Sequence, residues 1–238
     1  IKKSNYLAKQ NKEVLPVCET ITVFTDEEIE KFKAEAYKKY PSGKPKHNQA
    51  SAYILMLNTG LRTAEALGII NSDIDLEKKV MHIQRGVKEA QKRDGTERKS
   101  GREIVVGKLK TASSKRIVPL NETAIQAIIE LRNERYFGED APLIPDADGN
   151  FTRPLNLRKR FYSILDAAGI EKKGLHSLRH TFATKLVTGV RAEDGTVKAL
   201  TPRQVADLLG HTTSEITEMY YVKRNTDMLM GVTNGFEL

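Results

Sequence analysis

Cysteine is almost missing from this 238-residue chain: Cys18 is its one thiol, so no intramolecular disulfide can form and no cysteine cluster can hold a metal. A lone thiol of this kind is most simply a small apolar filler. No apolar run approaches the ~18 residues of a membrane span, and no secretory signal peptide is visible. Repeats and low-complexity tracts are missing too. With 39% hydrophobic residues the composition predicts a globular chain rather than a disordered one. The first residue is Ile1 rather than methionine, so a piece of something longer is expected. A reducing, cytoplasmic setting is the default.

What the chain has in excess is positive charge, a net +8. Such a balance suits a polyanionic partner, yet ribosomal, membrane-surface and merely soluble proteins share it. Its distribution says more. Residues 85–116 hold eleven Lys or Arg against four acids, +7 of the total, and the other 206 residues are close to neutral. A long basic hairpin loop beside a sheet is a candidate phosphate-contacting element.

Local signals predict a mainly α architecture with one small antiparallel β-sheet, an α+β fold. Thr25-Asp26-Glu27-Glu28 has the form of a capping box, with Ile29, Phe32 and Ala36 following at helical spacing. Further helices are expected over Gln49–Asn58, stopped by Gly60, and over Thr63–Leu67, Thr123–Arg135, Arg158–Ala168, His176–Val187 and Pro202–Leu209. Val80–Ile83, Ile104–Val106 and Arg116–Leu120 read as the three strands of the sheet, the first connection being long and charged. Residues 1–24 are read as a linker or the remnant of a preceding domain, 25–224 as the main domain and 225–238 as a tail.

Four segments carry groups suited to an anionic substrate. Arg62 lies between a helix stop at Gly60 and a new helix start, where backbone and Glu65 can hold a guanidinium rigidly. Lys110 precedes a tight polar turn into a strand, a place from which a lysine can enter a groove and deliver a proton. His176 and Arg179, three apart, share one helix face, with Leu178 and Phe182 marking the buried one. An imidazole beside a guanidinium is a poor metal site and a good phosphate site. His180 is read as structural. Last, His211 stands at a helix tip after Gly210, and a second helix returns Tyr220 and Tyr221 about three turns later. Taken singly, each segment has an ordinary structural explanation in a surface ion pair, a soluble hairpin tip or a packed aromatic.

Together and in this order, Gly60-Leu61-Arg62, Lys110-Thr111 with its basic turn and Val118-Pro119-Leu120, His176-Ser177-Leu178-Arg179-His180, Leu209-Gly210-His211 and the tyrosine pair resemble the tyrosine recombinases. The likeness runs from about Thr25 to Tyr221 and is narrowest to the integrases of phages and conjugative transposons. It implies an enzyme whose tyrosine attacks a DNA phosphate, gives a 3′-phosphotyrosine and releases a 5′-hydroxyl, with no cofactor, ATP or metal required. By the same resemblance Arg62 and Arg179 would clamp the nonbridging oxygens. Lys110 would protonate the departing oxygen, His176 would act as acid or base for the tyrosine or as a donor to an oxygen, and His211 would donate a further hydrogen bond to the phosphate. Family members usually place the nucleophile nine residues after the Leu-Gly-His histidine, which selects Tyr220, whereas Tyr221 stands at ten. Many also carry a histidine two residues after the nucleophile. This chain departs from that, with Val222 and Lys223 in the two possible places.

The implied partners are double-stranded DNA and further copies of the chain, as a tetramer on paired sites, with accessory DNA-bending proteins and no membrane. The implied setting is the cytoplasm of a bacterial or phage-infected cell. Met228, Leu229, Met230 and Phe236 suggest that the tail docks on a neighbouring protomer. Two alternatives stand beside this reading. A helix-turn-helix regulator would account for Thr201–His211 and the charge but leaves Arg62, Lys110 and the His176/Arg179 pair without a role. A type IB topoisomerase would share the chemistry without strand exchange.

Overall fold

Thr25 accepts a hydrogen bond from the Glu28 N–H at 3.2 Å, and Glu28 Oε2 accepts one from the Thr25 N–H at 2.9 Å. The capping box therefore forms as predicted and opens helix α1, Asp26–Ala36. This computed structural model describes residues 22–94, 97–108, 115–191 and 196–210. Within them six more helices follow, α2 (Ser51–Thr59), α3 (Thr63–Gly68), α4 (Glu122–Glu134), α5 (Pro154–Ala167), α6 (His176–Thr188) and α7 (Pro202–Leu209). The expected mainly helical α+β fold is present.

Helix α2 is apolar on every side and so can only be a core element. Its residues from Ser51 to Leu57 are all buried, with α4 packed on one side and α6 on another. Phe24, Phe32 of α1, Tyr53 of α2 and Phe161 of α5 form an aromatic knot, with ring centroids 5.3–6.3 Å apart in edge-on or tilted pairs. The Tyr53 hydroxyl, deep in this knot, donates to the Leu157 carbonyl at 2.8 Å. Helix α5 begins at Pro154, one turn before the expected Arg158, because proline suits the first helical position, where no N–H partner is needed.

The strands depart from the single sheet expected. One three-stranded antiparallel sheet joins β1 (Ile74–Asp75), β2 (Val80–Ile83) and β5 (Arg116–Pro119) in the order β1-β2-β5. The segment Ile104–Val106 does not join it. Instead β3 (Arg85–Asp94) and β4 (Glu97–Lys108) pair as a separate ribbon, so the charged connection is a long β-hairpin rather than a loop. The base of the ribbon is pinned to α3. Val87 is buried there, and the Arg85 carbonyl comes so close to Gly68 that a Cβ would lie 2.7 Å from it. A short pair, β6 (Val190–Arg191) with β7 (Val197–Lys198), was also not anticipated.

Helix α7 closes the described chain. Thr201 and Gln204 form a capping box, Pro202 occupies the first turn, and Gly210 ends the helix in the left-handed region at φ 68°. No described helix is long and apolar enough to cross a membrane. Residues 1–21, Lys110, His211, Tyr220, Tyr221 and the tail 225–238 lie outside the described residues.

Candidate active site

Gly60 is where three elements converge. It ends α2 at φ 63°, and a Cβ there would stand 2.5 Å from Phe182 of α6 and 2.6 Å from Leu209 of α7. Both the backbone conformation and the close approach require glycine. The chain then turns through buried Leu61 to Arg62, which lies just before α3.

Glu65, one turn into α3, is the hub of the site. Its carboxylate is only 2% exposed. It accepts the Arg62 N–H at 2.9 Å and Arg62 Nη1 at 2.7 Å, so this arginine is held by both backbone and side chain. Arg116, the first residue of β5, reaches the same carboxylate with a fork, Nη1 to Oε1 at 3.1 Å and Nη2 to Oε2 at 3.0 Å. Arg179 Nη1 stands 4.0 Å from Oε2. Burial alone would raise the Glu65 pKa; the bonds from Arg116 and then Arg62 outweigh it and hold the carboxyl below its ordinary value.

Three guanidiniums on one carboxylate leave an excess of two positive charges in a partly dry site. Helix C-termini help to offset it, since their last carbonyls lack partners within the helix. Arg116 Nε donates to the Leu208 carbonyl at 3.0 Å and Arg179 Nη2 to the Leu209 carbonyl at 2.9 Å, both in the last turn of α7. Arg179 Nη1 also donates to the Gly60 carbonyl at the end of α2, 2.7 Å away. Burial and the Arg62 charge press the Arg179 pKa down to about 9, which still leaves it a cation at neutral pH.

His176 opens α6 one turn before Arg179, at the exposed rim of the cluster. Its ring meets that of His180 edge-on, centroids 4.6 Å apart. Crowding by protein, then His180, Arg179 and Arg62, push its pKa down to about 4, so it is neutral at pH 7. The site thus offers a neutral imidazole beside a cationic cluster. Arg62 is the most open of the three guanidiniums, its side chain 36% exposed against 7% and 3% for Arg116 and Arg179.

Of the residues singled out in the sequence, Arg62, His176 and Arg179 are brought together although Arg62 and Arg179 belong to distant segments. Arg116 was overlooked as a member of the cluster. A signal for it exists: Arg116 and Val118 share one face of β5, and Val118 is buried while Ile117 between them is exposed. A basic residue on the inward face of a strand needs a buried acid, and Glu65 on the mostly apolar α3 answers that need.

The chain belongs to the phage integrase family, whose model matches residues 22–227. A tyrosine recombinase XerC-like protein of Caldanaerobacter subterraneus subsp. tengcongensis is 32% identical over 214 residues, covering 84% of this chain and 50% of that protein. Tyrosine recombinase XerC of Corynebacterium glutamicum is 28% identical over 178 residues, 74% of this chain and 46% of that one. The chain spans about half the length of the curated relatives it matches. Among solved structures, the Tn1549 transposon integrase in complex with a circular intermediate DNA superposes with a TM-score of 0.66 at 19% identity, over 91% of this chain and 70% of that one. XerH recombinase bound to its difH substrate gives 0.54 at 24% identity, over 84% and 50%. These two likenesses establish a shared fold.

Proposed function

We propose that this chain is the catalytic region, over residues 25–224, of a site-specific DNA recombinase that integrates or excises a mobile element. The observation that carries the reading is the meeting of Arg62 and Arg179 on the Glu65 carboxylate beside a neutral His176. Two forked cations suit the two nonbridging oxygens of a phosphodiester, whose charge grows in the pentavalent transition state. Double-stranded DNA is the substrate.

In the proposed reaction the Tyr220 hydroxyl attacks the scissile phosphorus and its proton passes to His176, which is free to accept one at neutral pH. The bond to the 5′-oxygen breaks as Lys110 protonates that oxygen. A 3′-phosphotyrosine and a 5′-hydroxyl result. The 5′-hydroxyl of a partner strand then attacks the phosphotyrosine, restores the phosphodiester and releases the tyrosine, so the bond energy is kept throughout. His211 adds a hydrogen bond to the phosphate. Strand exchange proceeds in a tetramer on paired sites, aided by accessory DNA-bending proteins, in the cytoplasm of a bacterial or phage-infected cell.

The test is incubation with suicide DNA, which loses its 5′-hydroxyl fragment after cleavage, followed by denaturing electrophoresis. A covalent protein–DNA band is expected, lost in Tyr220→Phe and kept in Tyr221→Phe. A band that survives Tyr220→Phe moves the nucleophile to Tyr221. No band from the intact full-length protein favours a regulator without chemistry, and relaxation of supercoiled plasmid without strand exchange favours a topoisomerase.

A further inference from the structure

Arg116 uses its whole guanidinium on protein acceptors. Two nitrogens grip the Glu65 carboxylate and the third holds the Leu208 carbonyl. Its side chain is 7% exposed, whereas that of Arg62 on the same carboxylate is 36% exposed. A fork on the carboxylate together with a bond to a helix-end carbonyl is the geometry of a strut. The strut joins three separate pieces of chain: α3 with Arg62, the C-terminal turn of α7, and the first residue of β5, six residues after Lys110 in the sequence. A bidentate pair fixes a carboxylate in direction as well as distance, which a single-point lysine interaction does not.

We propose that Arg116 is a positioning residue for strand cleavage, orienting Glu65 and through it the Arg62 guanidinium, and locking both to the end of α7. The inference rests on the reading of Arg62 and Arg179 as the phosphate clamp. Without the fork, Glu65 can rotate, and Arg62 loses the fixed partner of its Nη1. An error of about 1 Å in a transition-state donor costs roughly 10²-fold in rate, while ground-state DNA binding, spread over a wide surface, is little affected.

The experiment measures cleavage of a suicide duplex at saturating DNA by the full-length protein, with the affinity measured separately. Arg116→Lys should lower the cleavage rate about 10²-fold and leave the affinity within about threefold. The Glu65→Gln/Arg116→Lys double variant should be no slower than the slower single one, since both changes break one linkage. A second substrate carries a neutral methylphosphonate at the scissile position, which demands less charge stabilisation. On it the deficit of Arg116→Lys should shrink at least tenfold, in parallel with that of Arg62→Lys. Arg116→Gln, which keeps an amide donor for Leu208 but loses the fork, provides the same comparison if the lysine variant does not fold. Wild-type cleavage by folded Arg116 variants overturns the proposal, as does an equal deficit on both substrates, the mark of a merely structural role. If Arg62→Lys itself cleaves normally, the phosphate-clamp reading fails and the proposal fails with it.

Discussion

The two most basic regions of this molecule use the same residue types in opposite ways. Around Glu65, Arg179 is buried and the Arg116 side chain is 7% exposed, and both are directed and bound to a carboxylate or to helix-end carbonyls. Along the β3–β4 ribbon, Lys88, Lys92 and Arg102 stand exposed, and Arg102 makes a loose 3.8 Å pair with Glu89. Charge in the first region is part of the fold, because a buried cation must be compensated. Charge in the second is surface potential, screened by salt and indifferent to folding. Net charge alone could not tell the two apart.

Four changes would break or sharpen this contrast. The largest effect is expected from Glu65→Gln, which keeps the shape but takes the one negative charge from among three guanidiniums. It should cost about 3–5 kcal/mol of stability, read by denaturant unfolding; a loss under 1 kcal/mol would mean that the helix-end carbonyls alone hold the cluster. Next comes Gly60→Ala, which meets both a positive φ and a side-chain clash. About 2–4 kcal/mol should be lost, and an unchanged unfolding midpoint would show that α6 and α7 can move apart freely.

The third change is in pH. His176 binds its proton near pH 4 when folded and near 6.5 when unfolded. Over that window the unfolded chain holds more protons, so stability is complete above pH 6.5 and falls as the pH drops toward 4. His176→Gln should flatten the dependence by at most one proton. A thermal-unfolding series that superposes on the parent protein at every pH would place His176 outside the cluster's field. The smallest effect on folding belongs to the ribbon. Replacing Lys88, Lys92 and Arg102 together by Gln should alter stability by no more than about 0.5 kcal/mol. The salt dependence of binding to the proposed DNA substrate should weaken at the same time, by about one unit of slope for each phosphate left without its cation. A large loss of stability there would erase the distinction.

Much of this contrast was legible in the sequence. Thr25 announces its helix through a side chain that bonds its own backbone, a purely local matter, and Gly60 and Gly210 announce the ends of two others. Arg62, His176 and Arg179 could be picked out because each stands beside a helix boundary or a face partner. Of the ribbon only Ile104–Val106 was legible as strand; its other exposed positions are so heavily charged that the alternation is hidden, leaving Val87 and Ile104 as sparse inward markers. Arg116 was missed for a different reason. Its partners, Glu65 and Leu208, are 51 and 92 residues away, so the inward face of β5 marks the need for a buried acid without saying which one.

The capped end of α7 has one more consequence. The C-terminal pole of a helix carries about half a negative charge, enough to repel an approaching anion. Here the Leu208 and Leu209 carbonyls point into guanidiniums, so the pole is reversed in sign before the chain passes Gly210. A helix that would otherwise face an anion with its unfavourable end presents a cationic one, and a negatively charged ligand can lie against it without a penalty.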